Sequence, residues 1–287
     1  MNKITKQQFQ KAIYPKESSR FAIAMIVGIP VALLSFIYVL VTFGLILIVV
    51  LFVWFAMMIA KMNLIGNSVK VSKNNFPEIY SIYQEVKSQL SYDKEINIYI
   101  IEKGTVNALL AKFFRTKFII LNSELVEGMV DYNQMKWIIA RFIGALKAKH
   151  FKTTILRLIF ENVKNLKIFN FFVLPYERAT QYTGDNIGLL ATNNVEQSLN
   201  AFNRFLVGNE LSEKINFEGI IEQGIELHSK SIFSFLARAF SSHPHLIDRY
   251  LNLLAYAKKE FPSQFDDYMK KYNSETIRKI NLLIPNY

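Results

Sequence analysis

The chain has 287 residues, of which 51% are hydrophobic, carries a formal net charge of +11 and contains no cysteine. This length allows one large domain or two modest ones, and the missing cysteines exclude disulfides, thiolate-bound zinc and a thiol nucleophile. The basic excess suits nucleic acid or an anionic membrane surface, but there is no Arg/Lys-rich arm, RNP-like strand or zinc-finger spacing, so we expect a lipid bilayer as partner and no nucleic acid.

The N-terminal part of the chain predicts a membrane hairpin. Residues 1–20 are polar and basic, and residues 21–60 then carry no charged side chain. An apolar run of about 40 residues is roughly twice one bilayer crossing, and as a single helix it would be about 60 Å long, which is more than tilt absorbs. We therefore predict two transmembrane helices, at 21–40 and 43–62, in preference to a buried core hairpin or a secretory signal, whose apolar core is shorter.

The charges that flank this hairpin predict its orientation. Lys61, Lys70 and Lys73 precede the first acidic residue, Glu78, so the trailing flank is basic like the leading one. A hairpin places both flanks on one side, and the positive-inside rule makes that side cytoplasmic. We expect an integral protein of the cell membrane with both termini in the cytoplasm. Its predicted parts are a basic N-terminus (1–20), two transmembrane helices (21–62) and a cytoplasmic domain (63–287).

The pattern of the cytoplasmic part is typical of an α+β domain that is mostly helical and has a small sheet. A helix begins at Pro77, with proline and acid in its first turn. β-branched and aromatic residues then predict strands at 96–101 and 117–121. A short helix follows the capping residue Asn122, and a longer one extends over residues 131–150.

Part of that longer helix, residues 138–150, has the spacing of a zinc-peptidase helix without its metal-binding side chains. A zincin helix holds His-Glu-x-x-His, with two imidazoles on the metal and the Glu as general base. Ala140, Gly144, Lys147 and His150 stand where HtpX-like and CAAX-prenyl-protease-type zinc metallopeptidases have the helix A-H-E-x-G-H-x-x-x-x-H, which this segment resembles. The two ligand positions and the base position are occupied by Arg141, Ala145 and Phe142.

A second signature extends the resemblance. The family has an R-x-x-E-Y-x-A-D helix, whose Glu is the third zinc ligand and whose Asp supports the zinc helix. Arg178, Tyr182 and Asp185 match that helix, but the ligand Glu is replaced by Gln181. The resemblance covers most of 76–250 and implies a zincin-like fold. Two further matches are Asn107-Ala108, as the start of the family's N-A-F element, and Ser242-His243-Pro244-His245, as its S-x-H-P element.

These substitutions remove the family's chemistry. A catalytic zinc needs three protein ligands and an open position for water, and none of the three is present at the matched positions. Arginine does not lose its proton in proteins, so Arg141 places a permanent cation at the metal position. We therefore expect no metal and no cofactor, although the family uses zinc. The residues that the resemblance implies around the lost site are Asp185, Arg178 and His243.

The lost metal predicts a replacement contact. Without zinc, Asp185 would face a cavity with an unpaired charge, which is costly when buried. We expect Arg141 to lie within roughly 4 Å of Asp185, with Gln181 accepting a further hydrogen bond from the guanidinium. For a truly buried pair, Arg141→Ala should cost about 3–5 kcal/mol.

Two further segments have open interpretations. Family members are thought to bind substrate along an edge strand, which the resemblance places at 117–122, although an edge strand protected by lysines is the simpler interpretation. Residues 151–174 have charges on one face, and either pack on the domain or rest at the bilayer surface. The candidate peptide-binding residues are Lys117, Phe118, Ile119, Ile120, Leu121 and Asn122.

Three functional classes follow from this sequence. The hypothesis we favour is an inactive, membrane-anchored pseudoprotease that binds a membrane protein or an unfolded peptide segment, or regulates an active relative. The alternative is an active membrane zinc metalloendopeptidase in protein quality control, as the resemblance implies. The third is a purely structural membrane protein, with a covered edge strand and a filled groove.

Overall fold

The computed structural model describes residues 3–40, 42–104, 107–113, 116–128, 131–150, 170–229, 232, 236, 241 and 243–285. These residues form a mostly helical structure with a small mixed sheet, as predicted. In chain order the elements are α1 (Lys6–Ala12), α2 (Glu17–Leu40), α3 (Phe43–Gly66), β1 (Val69–Lys70), α4 (Pro77–Gln89), β2 (Asn97–Ile101), β3 (Ala108–Phe113), β4 (Thr116–Asn122), α5 (Ser123–Gly128), α6 (Tyr132–Lys147), α7 (Asn170–Thr192), α8 (Val195–Val207), α9 (Asn209–Ser212), α10 (Phe217–Ser229), α11 (Leu246–Glu260), α12 (Pro262–Met269) and α13 (Ser274–Leu283).

The sheet corrects the prediction that residues 117–122 form an edge strand. The strand order is β1-β2-β4-β3, so β4 lies inside the sheet, parallel to β2 and antiparallel to β3. The reason is a strand that the sequence pattern did not predict: β3 pairs along the whole of β4, with Leu109 opposite Ile120. Residues 118–122 are accordingly buried, and the backbone edge beyond β4 is formed by β3.

Helix α6 lies at the centre of the core. Its N-terminus is capped by Asp131, whose carboxylate accepts a hydrogen bond of 2.6 Å from the backbone N–H of Asn133, as is typical of an N-cap. Trp137, Ile138 and Ile143 are completely buried. The helix packs against α7 on one side and α4 on another. The predicted long helix is therefore confirmed, and both of its faces are covered by protein.

Helices α2 and α3 are long and apolar enough to cross a membrane, which suggests membrane association. They span the two predicted segments and extend them by four residues at each outer end. Large apolar side chains such as Leu34 and Phe52 are 68% and 71% exposed in the chain alone. A soluble monomer rarely exposes a continuous apolar surface of this kind, and a bilayer would cover it.

The N-terminal segment, which is polar and basic in composition, packs on the domain. Ile4, Phe9 and Ala12 are buried in the main core. The backbone N–H of Ile4 donates to the carbonyl of Gln89 at the end of α4, over 2.9 Å. Because this segment precedes α2 and the domain follows α3, both flanks of the hairpin lie in one folded body.

Of the predicted segment 151–174, residues 151–169 lie outside the described residues. The remaining residues form the first turn of α7, beside the start of α2. Val173 and Ala24 are both completely buried there, and the rings of Phe21 and Tyr176 lie 5.1 Å apart.

Candidate functional site

A buried carboxylate lies where α6, α7 and α11 meet. Asp185 of α7 is completely buried. Arg249 of α11 donates to it twice, from Nε to Oδ2 and from Nη2 to Oδ1, with both distances 2.8 Å. This two-bond geometry is the strong form of an arginine–carboxylate contact. Asp185 and Arg249 therefore form a buried ion pair that joins α7 to α11.

Arg141 of α6 contacts the same carboxylate. Its Nε lies 3.4 Å from Oδ1 of Asp185, and its Nη2 donates to Oε1 of Gln181 over 2.8 Å. The Arg141 side chain is 6% exposed. Both predicted contacts of Arg141 are thus confirmed, and its guanidinium joins α6 to α7.

Aromatic rings surround both cations. The guanidinium carbon of Arg141 lies 5.2 to 5.5 Å from the ring centres of Trp137, Phe142 and Phe205. That of Arg249 lies 4.9 Å from Phe202. Such contacts stabilise a desolvated cation.

Burial lowers the pKa of Arg141 to about 10, against the attraction of Asp185 and together with the repulsion of Arg249. A group with this pKa remains charged at neutral pH. Two arginines and one aspartate therefore leave the site with an excess positive charge.

Two glycines bring α6 and α7 close enough for these contacts. A Cβ on Gly188 would lie 2.6 Å from Nε1 of Trp137, and a Cβ on Gly144 would lie 2.5 Å from the side chain of Ile187. The physical role of both glycines in this chain is close helix packing around the buried charges.

The other matched positions offer no replacement metal ligands. Phe142, which the resemblance alone aligns with a general base, is buried, and the side chain of Ala145 is half-buried and has no donor atom. Across the part of the chain that the structure describes, no three His, Cys, Asp or Glu side chains are grouped so that they could hold a metal ion. The described contacts join α6, α7 and α11 through charge pairing.

The other residues that the resemblance implies around the lost site have contacts of their own. Arg178 donates over 2.8 Å to the carbonyl of Ser241, and His243 is exposed. The ion-pair partners of Asp185 among the described residues are Arg249 and Arg141. The expectation that Arg178 and His243 belong to the surroundings of the site stays a prediction.

Sequence reasoning missed Arg249, although a signal was present. Arg249 shares a helical face with Leu253 and Tyr256, at spacings of four and seven residues. All three are buried. A charged residue on the apolar stripe of an amphipathic helix requires a buried partner, and Asp185 is that partner.

A second buried polar cluster ties the base of α2 to the same helices. Nε2 of His150 lies 3.1 Å from Oε1 of Glu17, and the hydroxyl of Thr183 donates to the other oxygen of that carboxylate. All three side chains are buried. By sequence, Glu17 belongs to the polar and basic residues 1–20. In the structure it anchors α2 to α7 and to the residue segment that follows α6.

No family model, no curated protein and no solved structure matches this chain.

Proposed function

We propose that this protein is a membrane-anchored, inactive relative of the HtpX-like zinc metallopeptidases, with a zincin-like domain that binds other proteins or regulates an active relative. The observation that carries the proposal is the contact of Arg141 with Asp185 and Gln181. These three positions correspond, in the resemblance, to one zinc ligand, its supporting carboxylate and another zinc ligand.

Electrostatics supports the loss of metal binding. A divalent cation at this position would lie beside two guanidinium groups, Arg141 and Arg249, which together share one carboxylate. Like charges in a buried site repel strongly because the surroundings screen them poorly. A metal would therefore have to displace Arg141 from a site where that side chain already satisfies Asp185.

The membrane hairpin supports an anchored binding role. We assign the folded domain and both termini to the cytoplasmic side of the cell membrane, because both basic flanks of the hairpin lie in one body. The surface we assign to binding is the outer edge of β3. An extended segment of a membrane protein or of an unfolded chain would pair with that edge as an added strand.

The first test measures zinc and peptidase activity together on the full chain purified in mild detergent. We expect substoichiometric zinc by elemental mass spectrometry, and hydrolysis of unfolded casein at background with or without added zinc. Stoichiometric zinc together with chelator-sensitive cleavage would overturn the proposal in favour of an active metalloendopeptidase.

A second test examines the kinship itself. The combined change Arg141→His, Phe142→Glu, Ala145→His and Gln181→Glu restores a three-ligand set and a general base in the family pattern. If the helices have the zincin arrangement, this folded variant should bind one zinc ion. The matched control retains Gln181 and should bind zinc much more weakly. Equal zinc binding by the folded variant and its control would contradict a zincin-like arrangement.

A further inference from the structure

A cavity of about 610 Å³ lies at the base of α2, and its lining does not include Asp185, Arg141 or Arg249. This volume is in the range of small-ligand sites. Its walls come from the start of α2, from α7 and from α11. Arg20 and Arg178 provide positive charge, and Phe171, Pro175 and Leu251 provide apolar surface.

The position of the cavity relative to α2 is informative. Arg20 is the last charged residue before the uncharged segment 21–60. Phe171, at the first turn of α7, is 42% exposed, and α7 packs there on the start of α2. When α2 crosses a bilayer, basic and aromatic residues at this point lie at the depth of the headgroups. The cavity is therefore placed where a lipid headgroup would enter from the side.

The two arginines are held in place by the protein backbone. Arg20 donates from Nη1 to the carbonyl of Pro175 over 3.2 Å, and its guanidinium lies over the ring of Tyr14 at 5.3 Å. Arg178 donates from Nη1 to the carbonyl of Ser241. These bonds hold the two guanidinium groups, each of which carries five N–H donors, against the backbone of α7 and of residue 241.

The charge of the described lining favours an anion. The acidic residue among those lining side chains is Asp248, and its two oxygens face histidines: Oδ1 lies 3.2 Å from Nε2 of His228, and Oδ2 lies 3.8 Å from Nδ1 of His245. By formal charge, the lining holds two arginines against one aspartate. Phosphate is the anion that arginine recognises best through parallel hydrogen bonds.

We propose that this cavity binds the headgroup of an anionic phospholipid, with Arg20 and Arg178 contacting the phosphate. The acyl chains would leave along the apolar surface of α2, where Ile23 is 50% exposed. This site rests on α2 crossing a membrane. It does not depend on whether the domain has lost peptidase activity.

The test uses native mass spectrometry of the full chain in mild detergent with equimolar phosphatidylglycerol and phosphatidylcholine. The wild-type chain should retain phosphatidylglycerol preferentially. Arg20→Gln and Arg178→Gln should each lower that preference about fivefold, the contribution of one basic side chain near a lipid surface. The matched control is Lys16→Gln, which removes an exposed charge near the base of α2 but outside the cavity, and it should keep the preference.

Competition with inorganic phosphate distinguishes a lipid headgroup from a free anion as the bound group. Millimolar inorganic phosphate should leave the bound lipid in place, because the acyl chains add apolar contacts that a free ion lacks. Complete displacement by inorganic phosphate would assign the cavity to a soluble anion and overturn the lipid proposal. Equal retention of both lipids by the wild type, or an equal loss of preference in Lys16→Gln, would also overturn it. If Arg20→Gln does not fold, Arg20→Lys replaces it as the test variant. Because it keeps the positive charge, it should retain the preference for phosphatidylglycerol.

Discussion

Arg249 binds Asp185 through two hydrogen bonds of 2.8 Å, which makes it the principal partner of the carboxylate. Arg141, predicted as that partner, approaches the same group at 3.4 Å from the opposite helix. One buried carboxylate thus joins α6, α7 and α11. Removal of either arginine leaves the other as the partner of Asp185. The two alanine variants should therefore differ in stability.

Arg249→Ala should destabilise the fold by about 3–5 kcal/mol, because it removes the two-bond partner of a buried charge. Arg141→Ala should cost less than we expected from the sequence, about 1–2 kcal/mol, since Arg249 still pairs with Asp185. Denaturant-induced unfolding in detergent micelles measures both. The control is Lys270→Ala, which breaks an exposed ion pair with Asp267 and should have no measurable effect. A larger cost for Arg141→Ala than for Arg249→Ala would contradict this ranking.

Gly188→Ala should destabilise the α6–α7 packing by about 1–3 kcal/mol, because the new methyl group would overlap the rigid ring of Trp137. Gly184→Ala is the matched control, one turn away on the same helix. A Cβ there would lie 3.6 Å from the carbonyl oxygen of Arg141, an ordinary contact, and the higher helix propensity of alanine should add up to about 1 kcal/mol. Thermal unfolding of the two variants should show shifts of opposite sign, and equal shifts would argue against the close approach.

The outer edge of β3 provides a test of strand addition. The N–H of Asn122 donates to the carbonyl of Asn107, so these two residues form a hydrogen-bonded pair. This pair shows which residues of β3 direct their backbone groups toward β4. In an antiparallel pair, every second residue points its N–H and C=O away from the partner strand. By this alternation the backbone of Leu110 points outward, and that of Leu109 points toward β4.

Leu110→Pro should therefore leave the fold intact and weaken the binding of labelled, unfolded casein about three- to tenfold, the effect of about one lost hydrogen bond. Leu110→Ala controls for the lost side chain and should bind more tightly than the proline variant. Leu109→Pro should destabilise the sheet, because it removes a ladder hydrogen bond. Fluorescence anisotropy measures the binding. Undiminished binding by a folded Leu110→Pro variant would exclude this edge as the binding surface.

The absence of cysteine in the chain allows a direct test of topology. A single cysteine at Thr42, in the exposed turn between α2 and α3, should react with a membrane-impermeant maleimide added to intact cells. A cysteine at Lys270, on the folded domain, should react only after the cells are opened, because the positive-inside rule places both flanks in the cytoplasm. Labelling of both positions in intact cells, or of Lys270 alone, would contradict the predicted hairpin orientation.

Features that depend on local pattern are predictable from the amino-acid sequence. Forty uncharged residues and the positions of turn signals are enough to predict α2 and α3, because apolar length and helix geometry are properties of a continuous segment. The helices α4, α5 and α6 follow in the same way from caps and periodicity. The contact of Arg141 with Asp185 was also predicted, but from the resemblance and from the cost of burying an unpaired charge.

The residues that complete each site depend on contacts between segments that are distant in sequence. Arg249 is 64 residues from Asp185 in sequence, and no local pattern indicates which buried acid a buried arginine will meet. Within the described sheet, the pairing of β3 with β4 likewise makes residues 108–113 the outer strand instead of 117–122, because strand order depends on packing between distant segments. Glu17 belongs to a polar leader by composition, yet it is buried against His150 and Thr183. In each case the deciding energy is the desolvation of a polar group, which depends on what the rest of the fold brings next to it.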